Sequence, residues 1–392
     1  AAFAGDVSWG GDANVEGFSL INDLDSTATT DVKERGYSQR IRLKGTFKTD
    51  GNVSVNTRLI LNDSYWTGDN QGSTNNTVTG VYENSTNDAV AVDYGYIQAP
   101  IVGWTFRFGR QVANWANCFL TCDDRRDRIL AMKRIGGTTV ILLNDKRASS
   151  TNDETSPNGE GDLYVAAAVG VVSGWQWGLL GGIWKGEESY ILDDVFSLSP
   201  YVKGKIGGVK LEGAVNILGG GNSSYALFSD TGISAYLKAG MELGTINLEA
   251  QGIIVSDGGL IAGGFDTFTM LVNNNADNNQ SNTNVQNIGG LGKYGASYYG
   301  YADDEWMIGA RVSTKMGKIG LKASATYMAL DNDYAGYQED WTLWTIDGGV
   351  TYAVAKTTEL YLNAAFGGLD DETTANADRD YSAATLGINT TF

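Results

Sequence analysis

A chain of 392 residues without one histidine has no His-based triad, no imidazole metal site and no CxxCH haem attachment. Its formal charge of −18 would repel nucleic-acid phosphates. The remaining composition, 52 Gly and 3 Pro with 20 Tyr, 10 Trp and 19% charged residues, suits many short strands joined by glycine turns and rimmed by aromatics.

No run of about 18 apolar residues encodes a transmembrane helix, so a membrane-spanning chain of this kind has to be a barrel. A mean hydropathy of −0.20 does not oppose this, because lipid-facing and water-facing residues alternate and cancel in any average. The start Ala1-Ala2-Phe3-Ala4-Gly5 lacks Met and fits a mature export product.

Residues 7–20 alternate poorly and predict a weak first strand. Further on the alternation is clear. Val53, Val55, Thr57, Leu59 and Leu61 oppose Ser54, Asn56, Arg58 and Asn62; Ile246, Leu248, Ala250 and Ile254 oppose Asn247, Glu249 and Gln251. Ile319, Leu321, Ala323, Ala325 and Tyr327 oppose Gly320, Lys322, Ser324 and Thr326, and Leu360, Leu362, Ala364 and Phe366 oppose Glu359, Tyr361 and Asn363.

Tight turns are predicted at Asp50-Gly51-Asn52, Val102-Gly103, Gly136-Gly137, Ser173-Gly174, Gly207-Gly208, Gly244-Thr245, Gly317-Lys318 and Lys356-Thr357. Between them lie long polar connections at 23–35, 63–88, 111–128, 145–161, 185–195, 219–230, 257–304, 330–341 and 369–380. Short turns at one end and long loops at the other are the pattern of a transmembrane antiparallel β-barrel with periplasmic turns and extracellular loops. The spacing predicts one all-β domain over 1–392 with about eighteen strands, sixteen being the alternative.

The connection 257–304 has room for a hidden hairpin or folded insert. Its run 273–287 is asparagine-rich and reads as a solvated surface loop, while 289–301 is dense in aromatics and is expected to fold back on the barrel mouth. Tyr65, Trp66, Trp104, Trp175, Trp177, Trp306, Trp341 and Trp344 fall at strand ends, as an interfacial girdle requires.

Asp93-Tyr94-Gly95-Tyr96-Ile97, a tight turn, and Trp104-Thr105-Phe106-Arg107-Phe108-Gly109-Arg110-Gln111 resemble the Gram-negative general porins, in which a similar Gly-Arg-Gln closes the fifth strand. The chain ends Leu386-Gly387-Ile388-Asn389-Thr390-Thr391-Phe392, similar to the porin signal read by the outer-membrane assembly machinery. The resemblance implies an outer-membrane homotrimer whose third loop folds into the lumen opposite a basic wall. It departs from the family in lacking a Pro-Glu-Phe-Gly-Gly loop, in carrying a cysteine pair, and in its strand number.

The residues supply such a wall on their own. Arg40, Arg42, Arg58, Arg107 and Arg311 have polar-face parity and lie within about ten residues of a short turn, near mid-barrel at about 3.3 Å per residue. An arginine facing lipid at that depth would cost about 2–4 kcal/mol, so these point inward. Across from them the third loop offers Asp123, Asp124 and Asp127 interleaved with Arg125, Arg126 and Arg128. Opposed charges in a narrow wet pore set up a transverse field; the same charges can also pair and pin the loop.

Cys118 and Cys122 are the only cysteines and would form a disulfide in an oxidising compartment. No cofactor is required, with structural Ca2+ at Asp123, Asp124 and Asp127 as a minor option. Acidic clusters at Asp153-Glu154, Glu187-Glu188, Asp193-Asp194, Asp303-Asp304-Glu305, Glu339-Asp340 and Asp370-Asp371-Glu372 are either solvated or bridge through divalent cations to lipopolysaccharide phosphates. Small residues at 165–170 and 178–182 suggest a subunit interface.

These features predict a non-enzymatic channel in the outer membrane of a Gram-negative bacterium, passing small hydrophilic solutes and ions by passive diffusion. The alternatives are a substrate-selective channel, with Tyr294, Tyr298, Tyr299 and Tyr301 along a binding path, and a non-conducting structural or adhesive barrel.

Overall fold

Each alternating stretch becomes a strand, and each glycine-bearing turn reverses the chain. The computed structural model describes residues 5–24, 32–49, 51–66, 90–148, 161–186, 194–221, 231–272, 303–332, 340–371 and 378–392. The first strands are β1 (Val7–Leu24), β2 (Val32–Lys48), β3 (Ser54–Tyr65), β4 (Ala91–Ile101), β5 (Trp104–Trp115) and β6 (Thr121–Ile135). Then come β7 (Thr138–Ala148), β8 (Gly161–Val172), β9 (Trp175–Gly186), β10 (Phe196–Ile206), β11 (Val209–Gly219) and β12 (Gly232–Leu243). The last are β13 (Ile246–Ser256), β14 (Asp303–Met316), β15 (Ile319–Asn332), β16 (Trp341–Ala355), β17 (Thr358–Asp371) and β18 (Arg379–Thr391).

Every strand pairs antiparallel with its sequence neighbours, and β18 returns to β1, so the eighteen-stranded sheet is closed. Phe392 completes the seam through two backbone bonds with Gly11, at 2.8 and 3.1 Å. Closure removes the unpaired edges that a sheet of this size would otherwise expose. The eighteen-strand reading holds and the sixteen-strand alternative does not.

All the predicted tight turns join the strands they were expected to join. Several depend on left-handed backbone: Gly103 and Gly174 have φ of 73° and 82°, which glycine adopts without a Cβ clash.

The outward face is apolar. Ile97, Ile129, Leu237, Ile308 and Phe366 are among its exposed residues, and Trp306 and Trp344 stand exposed near the long-loop end. Trp306 packs on Tyr327 with ring centroids 5.5 Å apart, as amphipathic rings do at a membrane interface. No helix among the described residues is long and apolar enough to cross a membrane.

The inward face is not uniformly polar. Leu163, Val165, Ala167, Trp184, Leu218, Ile253, Met307, Met328 and Leu343 face inward and are buried. They cluster with Trp115, Phe119, Leu120, Ile261 and Phe265, so one side of the lumen is filled by a hydrophobic core. Water is the alternative environment there, and the drive to bury these side chains is that of a soluble protein. Val165 and Ala167 therefore belong to this core; the expected subunit interface gets no support from them.

Residues 7–20 alternate poorly for the same reason. Phe18 and Leu20 lie on the inward parity of Asn14 and Glu16, and are apolar because Met270 and Leu271 cover them.

Candidate constriction site

Among the described residues, two segments enter the lumen. The first is the tip of the β5–β6 hairpin. The sequence placed a long loop over 111–128, whereas β5 runs to Trp115 and β6 resumes at Thr121, leaving a tight turn between them. Ala116, Asn117 and Cys118 are all left-handed, with φ of 52°, 57° and 68°, a run that L-residues rarely sustain. The Cys118–Cys122 disulfide ties this turn to the start of β6, as the cysteine pair predicted.

The tip is fixed to the opposite wall. Trp115 Nε1 donates to Ser199 O at 3.0 Å, and its ring meets Tyr201 edge-on at 5.3 Å. Asn117 Nδ2 donates to Glu212 Oε1 at 2.6 Å, which also accepts from Tyr236 OH at 2.8 Å. Phe119, fully buried, sits 4.7 Å from the Tyr236 ring and 4.9 Å from Phe265.

The second segment, 257–272, is the described part of the connection between β13 and β14, and it is a folded insert of the kind that connection had room for, not a hairpin. It crosses the inside of the wall and packs from Tyr236 to Phe18. Its signal is readable in retrospect: Leu260, Ile261, Phe265, Phe268, Met270, Leu271 and Val272 are too apolar for a solvated loop. Asp266 organises it. Its Oδ1 accepts the Phe268 N–H at 2.9 Å, an Asx turn that holds Phe268 at a φ of 71°. Its carboxylate is gripped by Arg311, and Lys238 lies 3.4 Å away. Further along, Ser324 Oγ donates to Phe268 O at 2.9 Å and Asp347 Oδ2 accepts the Met270 N–H at 2.6 Å.

The two segments touch. Ala262 N donates to Phe119 O at 3.0 Å, and Gly264 is so close to the disulfide that a Cβ there would lie 3.2 Å from Cys122 Sγ. Asn216, fully buried on β11, donates to Phe119 O at 3.3 Å and to Leu260 O at 3.0 Å, joining both segments to one wall residue.

On the other side the lumen is lined by arginines and carboxylates of β1–β7. At the β3–β4 register shift, Arg58 opposes Tyr94 and Leu59 opposes Val92, so Asp93 is a bulge residue turned toward Arg58. Arg58 pairs with Asp93 and lies 3.7 Å from Asp123; Arg125 pairs with both Asp93 and Asp123. Asp124 meets Arg126 at 3.0 Å and Arg147 at 3.1 Å, and Arg128 meets Asp145 at 2.8 Å. Arg42 holds Asp12 at 2.7 Å, with Arg40 buried beside it. Arg107 donates to Gln98 Oε1 at 2.8 Å and lies 5.3 Å from the Tyr96 ring centre.

Three expectations are corrected by this geometry. Asp123, Asp124 and Asp127 do not form one acidic face, because consecutive strand residues alternate: Asp127 is exposed, and is the cross-strand partner of Arg110 on the face opposite Arg126 and Arg128. For the same reason they make no calcium cage, and the described residues contain no group of three or more acidic residues or cysteines arranged to hold a metal ion. Arg311 does not face the third-loop acids; its partners are Asp266 and Glu249.

The acidic pairs Asp153-Glu154 and Glu187-Glu188, together with Asp193, Glu339 and Glu372, lie outside the described residues, as do 273–287, 289–301 and the tyrosines Tyr294, Tyr298, Tyr299 and Tyr301.

No protein-family model and no curated protein matches the chain. Solved structures do. The outer membrane protein OpdK of Pseudomonas aeruginosa superimposes with a TM-score of 0.61 at 13% identity, covering 98% of this chain and 99% of that one. OccK9 (OpdG) of the same organism gives 0.62 at 13% identity, with the same coverage. OccK3 (OpdO) gives 0.59 at 12%, over 98% and 96%. At such identity the likeness is one of fold, and the fold is that of an eighteen-stranded outer-membrane porin barrel.

Proposed function

We propose that the protein is a substrate-selective channel of a Gram-negative outer membrane that favours small anionic solutes. The observation that carries this reading is the joining of two inward segments to one wall, which fills one side of the lumen and leaves the passage beside the arginines of β2–β7. A general diffusion pore keeps a wide wet lumen. Here a solute is brought against guanidinium groups and aromatic rings.

Anion preference is supported by Arg107, whose described contacts are neutral. Planar guanidinium groups suit carboxylates through paired N–H donors. OpdK of Pseudomonas aeruginosa has been solved with vanillate, itself a carboxylate. The reading includes a homotrimer and contact with outer-membrane lipid and lipopolysaccharide, which rest on the porin resemblance.

Planar-bilayer recording in a salt gradient tests it. Conductance in steps of three, a reversal potential on the anion side and saturable block by a small aromatic carboxylate are expected. A silent membrane overturns the channel, and an unblocked, cation-selective current overturns the selectivity.

A further inference from the structure

Beneath the inward segments, at the short-turn end, lies a cavity of about 760 Å3 bordered by Asn117, Gln176, Lys203, Lys205, Lys210 and Glu249 among others. It is on the opposite side of the barrel from the arginine wall of β2–β7.

Two rows of inward residues cross its floor. In the row nearer the segments, Lys203 of β10 stands opposite Glu212 of β11, and Glu212 opposite Lys238 of β12. Charges alternate along it, and contacts follow: Lys203 to Glu212 at 3.2 Å, Lys238 to Glu249 and to Asp266 at 3.4 Å each. This row is compensated.

The next row is not. Lys205 of β10 stands directly opposite Lys210 of β11, Lys210 opposite Gly240 of β12, and Gly240 opposite Glu249 of β13. Like charges facing each other across an antiparallel pair are unfavourable. The one position that would place a third side chain beside them is glycine, and Glu249, paired with Lys238 and Arg311, leans over it with Oε1 3.9 Å from where a Cβ at Gly240 would stand. Lys210 reaches Glu242, an exposed rim residue whose field Lys205 also shares without contact, and exposed pairs of this kind contribute little. Lys205 has no salt-bridge partner among the described residues.

We infer that Lys205 and Lys210, both facing the cavity, form a binding site for a small oxyanion, carboxylate or phosphate. An oxyanion between two ammonium groups turns a repulsive pair into two charge-assisted contacts. Gln176, on the adjoining strand opposite Lys203, offers an amide donor within the same cavity. The site is independent of the arginine passage in sequence and position. It rests on the channel reading only in taking the lumen as open to solutes.

Isothermal titration of the refolded full chain in detergent, with sodium phosphate and separately with sodium acetate, tests the assignment. Saturable heat is expected from at least one anion, and which one responds separates the phosphate from the carboxylate reading. Lys205→Gln and Lys210→Gln should each weaken it roughly tenfold or more, as loss of a charge-assisted contact does. Lys48→Gln, outside the cavity, should leave it unchanged. Circular dichroism confirms the barrel in each variant, and Lys205→Arg, which keeps charge, should retain binding. No saturable heat with either anion, or equal heat in both glutamine variants, overturns the site. Lysine-dependent heat from a protein that does not conduct would overturn the channel and leave the site; conduction without heat does the reverse.

Discussion

Arg311 grips Asp266 with both terminal nitrogens: Nη1 reaches Oδ2 at 2.9 Å while Nη2 reaches Oδ1. The pair ties segment 257–272 to β14, and the Phe268 ring stacks under the same guanidinium at 4.3 Å. Arg311→Ala leaves a buried carboxylate with Lys238 as its remaining cation, and breaking a buried pair costs about 3–5 kcal/mol. A lower urea midpoint in detergent and noisier open-channel current are expected. If both match the parent protein, the pair does not anchor the segment.

Acid should release the same anchor. Burial pushes the Asp266 carboxyl up, but Arg311 and Lys238 beside it outweigh burial and hold it below the usual carboxylate range. A group depressed on folding stabilises the fold above its unfolded pKa, near about 3.9 for Asp, and loses that contribution as pH falls through the lower folded value. Current noise should therefore be flat from neutral pH to about pH 4 and rise below it. Asp266→Asn should be noisy throughout, with no acid step; an acid step that survives this substitution would assign the effect elsewhere.

The disulfide is predicted to act on both inward segments, because Gly264 of the second rests against Cys122. Cys118→Ser combined with Cys122→Ser should broaden the conductance distribution, and a thiol reductant should do the same to the parent protein and nothing to the double variant. Gly264→Ala adds a Cβ at a φ of 91°, so it should disturb conductance without touching either cysteine.

Arg107 can be recharged without dismantling the fold, since its described partners, Gln98 and Tyr96, are neutral. Arg107→Glu is expected to shift the reversal potential toward cations with circular dichroism unchanged. A reversal potential that stays put would remove Arg107 from the conducting path.

The barrel was legible because its signals are local. Turn glycines at positions such as 103, 174 and 317 need left-handed backbone, and inside–outside alternation needs only a strand. The inward parity of Arg40, Arg42, Arg58, Arg107 and Arg311 followed from the same rule. What escaped depends on contacts between distant segments. Leu163 and Val165 look like lipid-facing residues until Trp115 and Leu120 are folded over them. Asp93 becomes a partner of Arg58 only through a bulge that no pattern announces. The pairing of Arg311 with Asp266 joins β14 to a segment whose apolar residues had been overshadowed by the asparagine run after it.

Because Asn216 holds Phe119 and Leu260 at a single point, the two halves of the lumen should differ in how they tolerate change. A saturation library read for surface display should accept most residues at Arg42, Arg107 and Arg126. It should reject nearly all at Asn216, Phe119, Phe265 and Leu343. On the proposed reading, what the protein admits can drift while its architecture stays put, since the arginines of β2–β7 and the packed core lie on different walls.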